Sequence, residues 1–340
     1  MPRLRRVSPD TPGWSRRRRG RGFSYADQDG RRLTPAQVER VRALAIPPAW
    51  REVWICPDVL GHLQATGLDA AGRRQYLYHP AWRQRRDRQK FERVVAAAER
   101  LPQVRRRLAR DLRREGMPLE RAAALAVRLL DEGCFRIGND VYADRHGSFG
   151  LTTLERRHVR RHGDGLRFRF TGKSGIEHVV DIGQPGLVRV VEEFRRAGRP
   201  GDRLLGYRTD AGWTALSAAA VNDYLARLFD GEFTAKDFRT WHATVIAAEQ
   251  LAATGEAADS RASRRRAIRA AVARVAGYLG NTPAVARNSY IDPRVIDRFE
   301  RGSTISLGAA ALARGATARR TALEAAVRDL LGGEPAPPRR

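Results

Sequence analysis

The residues with chemistry in them are one tyrosine, a few arginines and three lysines. Tyr290 lies in the stretch Val275-Ala-Gly-Tyr-Leu-Gly-Asn-Thr-Pro-Ala-Val-Ala-Arg-Asn-Ser-Tyr-Ile-Asp-Pro-Arg294. Gly280 can end a helix in a left-handed conformation, and Thr282-Pro283 can open another as N-cap and first residue. That short helix carries Arg287 and Tyr290 on adjacent turns until Asp292-Pro293 ends it. A phenol held rigidly beside a guanidinium can present a nucleophile to a phosphate. Taken alone, the stretch reads more simply as a core tyrosine in a helical hairpin.

Other candidates come from elsewhere in the chain. Of 64 basic residues only Lys90, Lys173 and Lys236 are lysine. Arginine keeps its charge and forks onto two oxygens, whereas lysine can give up a proton and so act as a general acid. Gly133 and Gly138 bracket Arg136 in a tight turn that aims its guanidinium. Lys173 sits at a hairpin tip in Gly172-Lys-Ser-Gly175. Lys236, Arg239 and His242 recur at i, i+3 and i+6, which puts them on one helical face as a seat for a phosphodiester. Each has an ordinary alternative: a carbonyl clamp, a turn residue, a solvated stripe. His158 and His162 read as strand and turn without a supporting carboxylate set, and no Walker A loop is present. The set left is metal-free: Arg136, Lys173, Arg239 and Tyr290, with Lys236 and Asn281 beside them.

These residues need a scaffold, and 340 residues suffice for two domains with full cores. A net charge of +26 implies a polyanionic partner. No apolar run reaches membrane-spanning length and no signal-peptide segment opens the chain. Cys56 and Cys134 lack paired spacing, so a reduced, cytoplasmic protein is expected. Residues 1–22, with eight arginines and one acid, read as a disordered basic arm. Residues 23–85 read as a small β-rich domain. In it, Phe23–Tyr25 leads through Asp29-Gly30 to Leu33, a helix follows Thr34-Pro35, and the last strand turns Arg73, Gln75, Tyr76 and Tyr78 toward a partner. Between Arg73 and Arg114 there are 15 basic residues against four acids, which favours a nucleic-acid groove.

Residues 86–302 read as a mainly helical domain. Strands are expected over 150–154, 158–161, 166–170 and 176–182, with a three-stranded antiparallel sheet among them. From Gly186 the reading is almost wholly helical, with Trp213-Thr214 capping a helix to Phe229. Residues 303–340 read as a helical tail without a motif. The fold class is thus α+β: a small β-rich lobe and a larger helical lobe.

On these segments the chain resembles the type IB DNA topoisomerases of the small poxvirus-like bacterial kind. The resemblance rests on Arg136-Ile-Gly-Asn139, Gly150-Leu-Thr-Thr153, Thr171-Gly-Lys-Ser-Gly175, Lys236-Asp-Phe-Arg-Thr-Trp241, Leu279-Gly-Asn-Thr282 with Ser289-Tyr290, and Gln75-Tyr-Leu-Tyr78. It covers about residues 20–300, and six motifs in the family's order are highly specific. It implies a bilobed clamp, acting as a monomer on double-stranded DNA in the cytoplasm, at the nucleoid. Tyr290 is then the nucleophile forming a 3′-phosphotyrosyl bond, and Arg136 and Arg239 clamp the non-bridging oxygens. Lys173 protonates the leaving 5′-oxygen, Lys236 assists at the phosphate, and neither ATP, cofactor nor metal is needed. Where many members carry histidine this chain has Asn281, which can donate a hydrogen bond but carries no charge. The nearest rival, a tyrosine recombinase, usually has histidine at the position of Lys236 and lacks the Gln75–Tyr78 domain. A non-catalytic DNA-binding protein would explain the charge but not Tyr290.

Overall fold

The computed structural model describes residues 2–133, 135–140, 143, 147–197, 202–231, 233–255 and 260–333. Cys134 therefore lies outside the described residues. The chain divides into two compact units, Met1–Lys90 and Phe91–Arg340.

The first unit is a five-stranded antiparallel sheet with one helix. Its elements are β1 (Trp14–Arg19), β2 (Gly22–Ala26), α1 (Pro35–Ala43), β3 (Arg51–Ile55), β4 (Leu63–Leu68) and β5 (Arg74–Tyr78), and the strand order is β2-β1-β3-β4-β5. Thr34 caps α1 in a reciprocal capping box with Gln37, as Thr-Pro followed by Gln dictates. Trp14, Val41, Val53, Ile55 and Ala65 form the core.

The basic arm expected over 1–22 is corrected here. Residues 14–19 form β1, which pairs with β2 and, through Trp14 and Ser15, with β3. The arginines mislead because they serve the fold. Arg16 donates to the carbonyls of Ile46, Pro47 and Trp50 and lies over the ring of Phe23. A guanidinium satisfying three carbonyls is a structural clamp. Asp29-Gly30 does turn the chain, but it leads to a single bridge, Ala26 to Arg32, rather than a strand.

The second unit is built around α3 (Leu119–Gly133), whose residues 122–127, 129 and 130 are fully buried. Packed in the same core are the inner face of α2 (Pro80–Asp111) and the antiparallel sheet of β6 (Val159–His162), β7 (Gly165–Thr171) and β8 (Glu177–Ile182). Then come α4 (Pro185–Arg196), a hairpin of β9 (Gly206–Thr209) and β10 (Gly212–Ala215), and α5 (Ala218–Phe229). The remaining helices are α6 (Ala235–Ala252), α7 (Arg261–Leu279), α8 (Pro283–Ser289), α9 (Pro293–Glu300), α10 (Gly308–Leu312) and α11 (Ala316–Gly332). The α+β class and the three-stranded sheet are as the sequence implies.

Three expectations differ. Residues 151–153, expected as strand, form a 3-10 turn in which the Gly150 amide donates to Thr153 Oγ1. Trp213-Thr214 lies in β10, and Ser217 caps α5 instead. The stretch Asp210-Ala-Gly212, expected within an almost wholly helical region, is a hairpin turn between strands too short to show alternation. The tail from residue 303 is no appendage, since Leu323, Val327 and Leu331 of α11 are buried in the unit's core.

Candidate active site

Arg136 is aimed by a braced loop. The backbone amides of Leu151 and Thr152 donate to the carbonyls of Arg136 and Ile137, both at 2.8 Å. A Cβ on Gly150 would meet Gly138 Cα at 2.4 Å, and Gly138 has φ of +104°, so neither position accepts a side chain. The two Gly-containing segments fold as one device. Arg136 Nη2 donates to Asn281 Oδ1 at 2.7 Å and approaches the Gly280 carbonyl at 3.5 Å.

Asn281 follows directly on the end of α7, where Gly280 takes the left-handed conformation and Thr282 caps α8. With Oδ1 facing Arg136, its Nδ2 is buried without an acceptor among the described residues. A buried amide donor of that kind suits an anionic oxygen.

Tyr290 is the C-cap of α8, its amide donating to Ala286. The arginine beside it is not Arg287, which is exposed, but Arg239 on α6. The Arg239 guanidinium carbon stands 5.3 Å from the Tyr290 ring centroid, and its Nη2 donates to the Leu279 carbonyl at 2.7 Å. Burial pushes the Tyr290 phenol up, but the charge and hydrogen bond of Arg239, then the charges of Arg136 and Lys236, outweigh it. The phenol is left below its ordinary value. Thr244, which sequence reasoning missed, fixes the backbone here. Its Oγ1 donates to the Thr240 carbonyl at 2.8 Å, accepts the Asp292 amide at 3.2 Å and lies 3.4 Å from the Tyr290 carbonyl. Only its place one turn after Thr240 on the same helix hinted at it. Asp292 in turn caps α9, so the Asp292-Pro293 pair expected to end the short helix opens the next one, and α8 stops already at Ser289.

The lysines sit at the margin. Lys236 is exposed on the first turn of α6 yet close enough to act on the phenol. Lys173 is exposed at the β7–β8 tip; its neighbour Gly172 lines a cavity of about 350 Å³ together with Arg136, Arg239 and Gly280. His242 turns away from this face. It is buried, 3.7 Å from Asp131.

In the first unit, strand β5 alternates. Tyr76 and Tyr78 are exposed and stacked, ring centroids 6.1 Å apart. Arg73 and Gln75 both hold Asp69, whose carboxyl those bonds, that of Arg73 foremost, lower to about 2. The four residues expected to face a partner thus split into an open aromatic pair and a pair engaged with a carboxylate.

The family model described as "Eukaryotic DNA topoisomerase I, catalytic core" matches residues 79–304, and "Bacterial DNA topoisomerase IB, N-terminal domain" matches residues 22–69. The chain belongs to the type IB DNA topoisomerase family. Among its relatives is the DNA topoisomerase 1B of Acanthamoeba polyphaga mimivirus, 28% identical over 81% of this chain and 84% of that one. The DNA topoisomerase 1 of rabbit fibroma virus is 22% identical over 72% and 75%. The Schizosaccharomyces pombe enzyme is 28% identical over 48% of this chain but only 19% of its own length. Membership makes the chain a DNA topoisomerase by family, and no helix among the described residues is long and apolar enough to cross a membrane.

Proposed function

We propose that the protein relaxes supercoiled duplex DNA through a transient 3′-phosphotyrosyl bond on Tyr290, using only its own side chains and neither ATP nor metal. The observation that carries the reading is the Arg239 guanidinium 5.3 Å from the Tyr290 ring, with Arg239 and Arg136 both held by the Leu279–Asn281 turn; their charges, with that of Lys236, lower the phenol. A phosphodiester placed there would meet a nucleophile and its clamp together. Tyr290 Oη forms a bond to phosphorus as the bond to the 5′-oxygen breaks, the phenol proton leaving to water. Arg136 and Arg239 hold the non-bridging oxygens, whose charge grows in the five-coordinate transition state. Asn281 Nδ2 adds a neutral hydrogen bond there. Lys173 gives its proton to the leaving 5′-oxygen, and Lys236 assists at the phosphate. Religation runs the same steps backwards, so the phosphodiester bond energy is conserved.

Supporting DNA contacts come from the exposed Tyr76–Tyr78 pair, with Gln75 on the same strand and Arg73 just before it. We further propose that the protein works as a monomer at the nucleoid. The test is relaxation of plasmids of both signs of supercoiling in EDTA without nucleotide. Wild-type protein is expected to relax both, and Tyr290→Phe neither, while keeping salt-sensitive DNA binding. Full activity in Tyr290→Phe would overturn the assignment; paired-site strand exchange in place of relaxation would indicate a recombinase.

A further inference from the structure

His178 on β8 has no part in the chemistry above, yet it stands at the centre of the site. It is half-buried and lines the same cavity as Arg136 and Arg239. Its ring stacks on Phe170, its cross-strand partner on β7, with centroids 5.4 Å apart and planes 21° apart. Burial first, then the charges of Arg136 and Arg239, hold the imidazole below its ordinary value and so neutral.

The ring touches two glycines from two different elements. A Cβ on Gly172 would lie 2.3 Å from His178 Cδ2, and one on Gly280 would lie 2.5 Å from Cε1. Gly280 needs to be glycine anyway, because its φ is +60°. Gly172 does not: its φ of −98° and ψ of −164° suit any residue, so only the imidazole calls for the missing side chain. Gly172 immediately precedes Lys173, and Gly280 immediately precedes Asn281. The imidazole is therefore a plate between the turn bearing the proton donor and the turn bearing the amide that holds Arg136.

We propose that His178 is a positioning residue that docks the Lys173 turn onto the Gly280–Asn281 turn. In this way it registers the general acid with the phosphate clamp; the inference rests on the acid role given to Lys173 above. An otherwise exposed hairpin tip gains its register from ring-to-backbone contact, and misplacing an acid by about 1 Å costs on the order of 100-fold in rate.

The experiment is single-turnover cleavage of two duplexes, one with the natural 5′-oxygen and one with a bridging 5′-sulfur at the scissile phosphate. Sulfur leaves as thiolate, its P–S bond breaking without a proton, so the substrate reports on everything except the acid. His178→Ala is expected to cleave the oxygen substrate about 10- to 100-fold slower and the sulfur substrate within about threefold of wild type. His178→Phe, which keeps the plate, is expected to recover most of the oxygen rate. Gly172→Ala, whose methyl displaces the ring, is expected to repeat the His178→Ala pattern. The sulfur substrate doubles as a check on folding. Equal slowing on both substrates, or no slowing on oxygen, would overturn the proposal. Lys173→Ala run alongside separates the two layers. If sulfur rescues Lys173→Ala but not His178→Ala, only the docking role falls; if it rescues neither, the acid assignment falls, and the docking role with it.

Discussion

Helix α6 borders two arginine-containing regions, one at Arg239 and one at His242, and they use the same residue type in opposite ways. At Arg239 and Arg136 the guanidinium groups donate to neutral oxygens. The Leu279 and Gly280 carbonyls and the Asn281 amide carry no formal charge. One turn on, at His242, lies a network of arginines and carboxylates. Arg105 donates to Asp131 at 2.9 Å and to Glu324 at 2.6 Å, Arg128 reaches Asp131 at 2.8 Å, and Arg320 bonds Asp131, Glu132 and Glu324. The first region turns its positive charge toward the Tyr290 phenol, which it lowers. The second neutralises it and ties α11 to α2 and α3.

Breaking the second region is expected to give the largest effect on stability. Asp131→Asn leaves buried guanidinium charge uncompensated, at a cost of about 3–5 kcal/mol, read as a lowered melting temperature. Burial raises the Asp131 and Glu324 carboxyls, but the arginines overcome it and leave both below their ordinary values. Their contribution is thus complete above the usual carboxylate range, begins to fall below about pH 4 and is lost as pH falls through their depressed values in the fold. Glu324→Gln should flatten that acid limb in a melting series.

Breaking the first region should spare the fold and remove catalysis. Arg239→Ala is expected to lose about 10²- to 10³-fold in cleavage rate with little change in melting temperature. Because Arg239 lowers the Tyr290 phenol, the rising limb of the pH–rate profile should also move to higher pH in that variant. An unchanged limb would separate the guanidinium from the phenol. Asn281→Ala should be mildest, about tenfold, since it removes the neutral Nδ2 donor and the Oδ1 brace on Arg136 but leaves both guanidinium groups in place. Asn281→His recovering or exceeding the wild-type rate would sharpen the distinction between neutral and charged donors at that position.

Local chemistry explains what was legible in the sequence. The Thr34, Thr282 and Gly280 helix signals and the β7–β8 hairpin are all short-range features, and they appear where expected. Arginine content misled wherever the partner was distant in sequence. Arg16 clamps carbonyls 30 to 34 residues away, and Arg105 pairs with Glu324, 219 residues on. No window of sequence distinguishes such a clamp from a free basic arm or tail. The same holds at the site. Helical spacing put His242 with Arg239, but a 3.6-residue period turns i and i+3 apart enough for one to face Tyr290 and the other Asp131. Tyr290 and Arg239 meet only through the fold, and Arg287, its neighbour on α8, points to solvent.

The most direct measurement is to trap the covalent adduct on a nicked duplex, digest it, and sequence the nucleotide-bearing peptide by mass spectrometry. A 3′-phosphate joined to Tyr290 is the expected result. An adduct on another residue, a 5′ linkage, or no adduct from active protein would contradict the account.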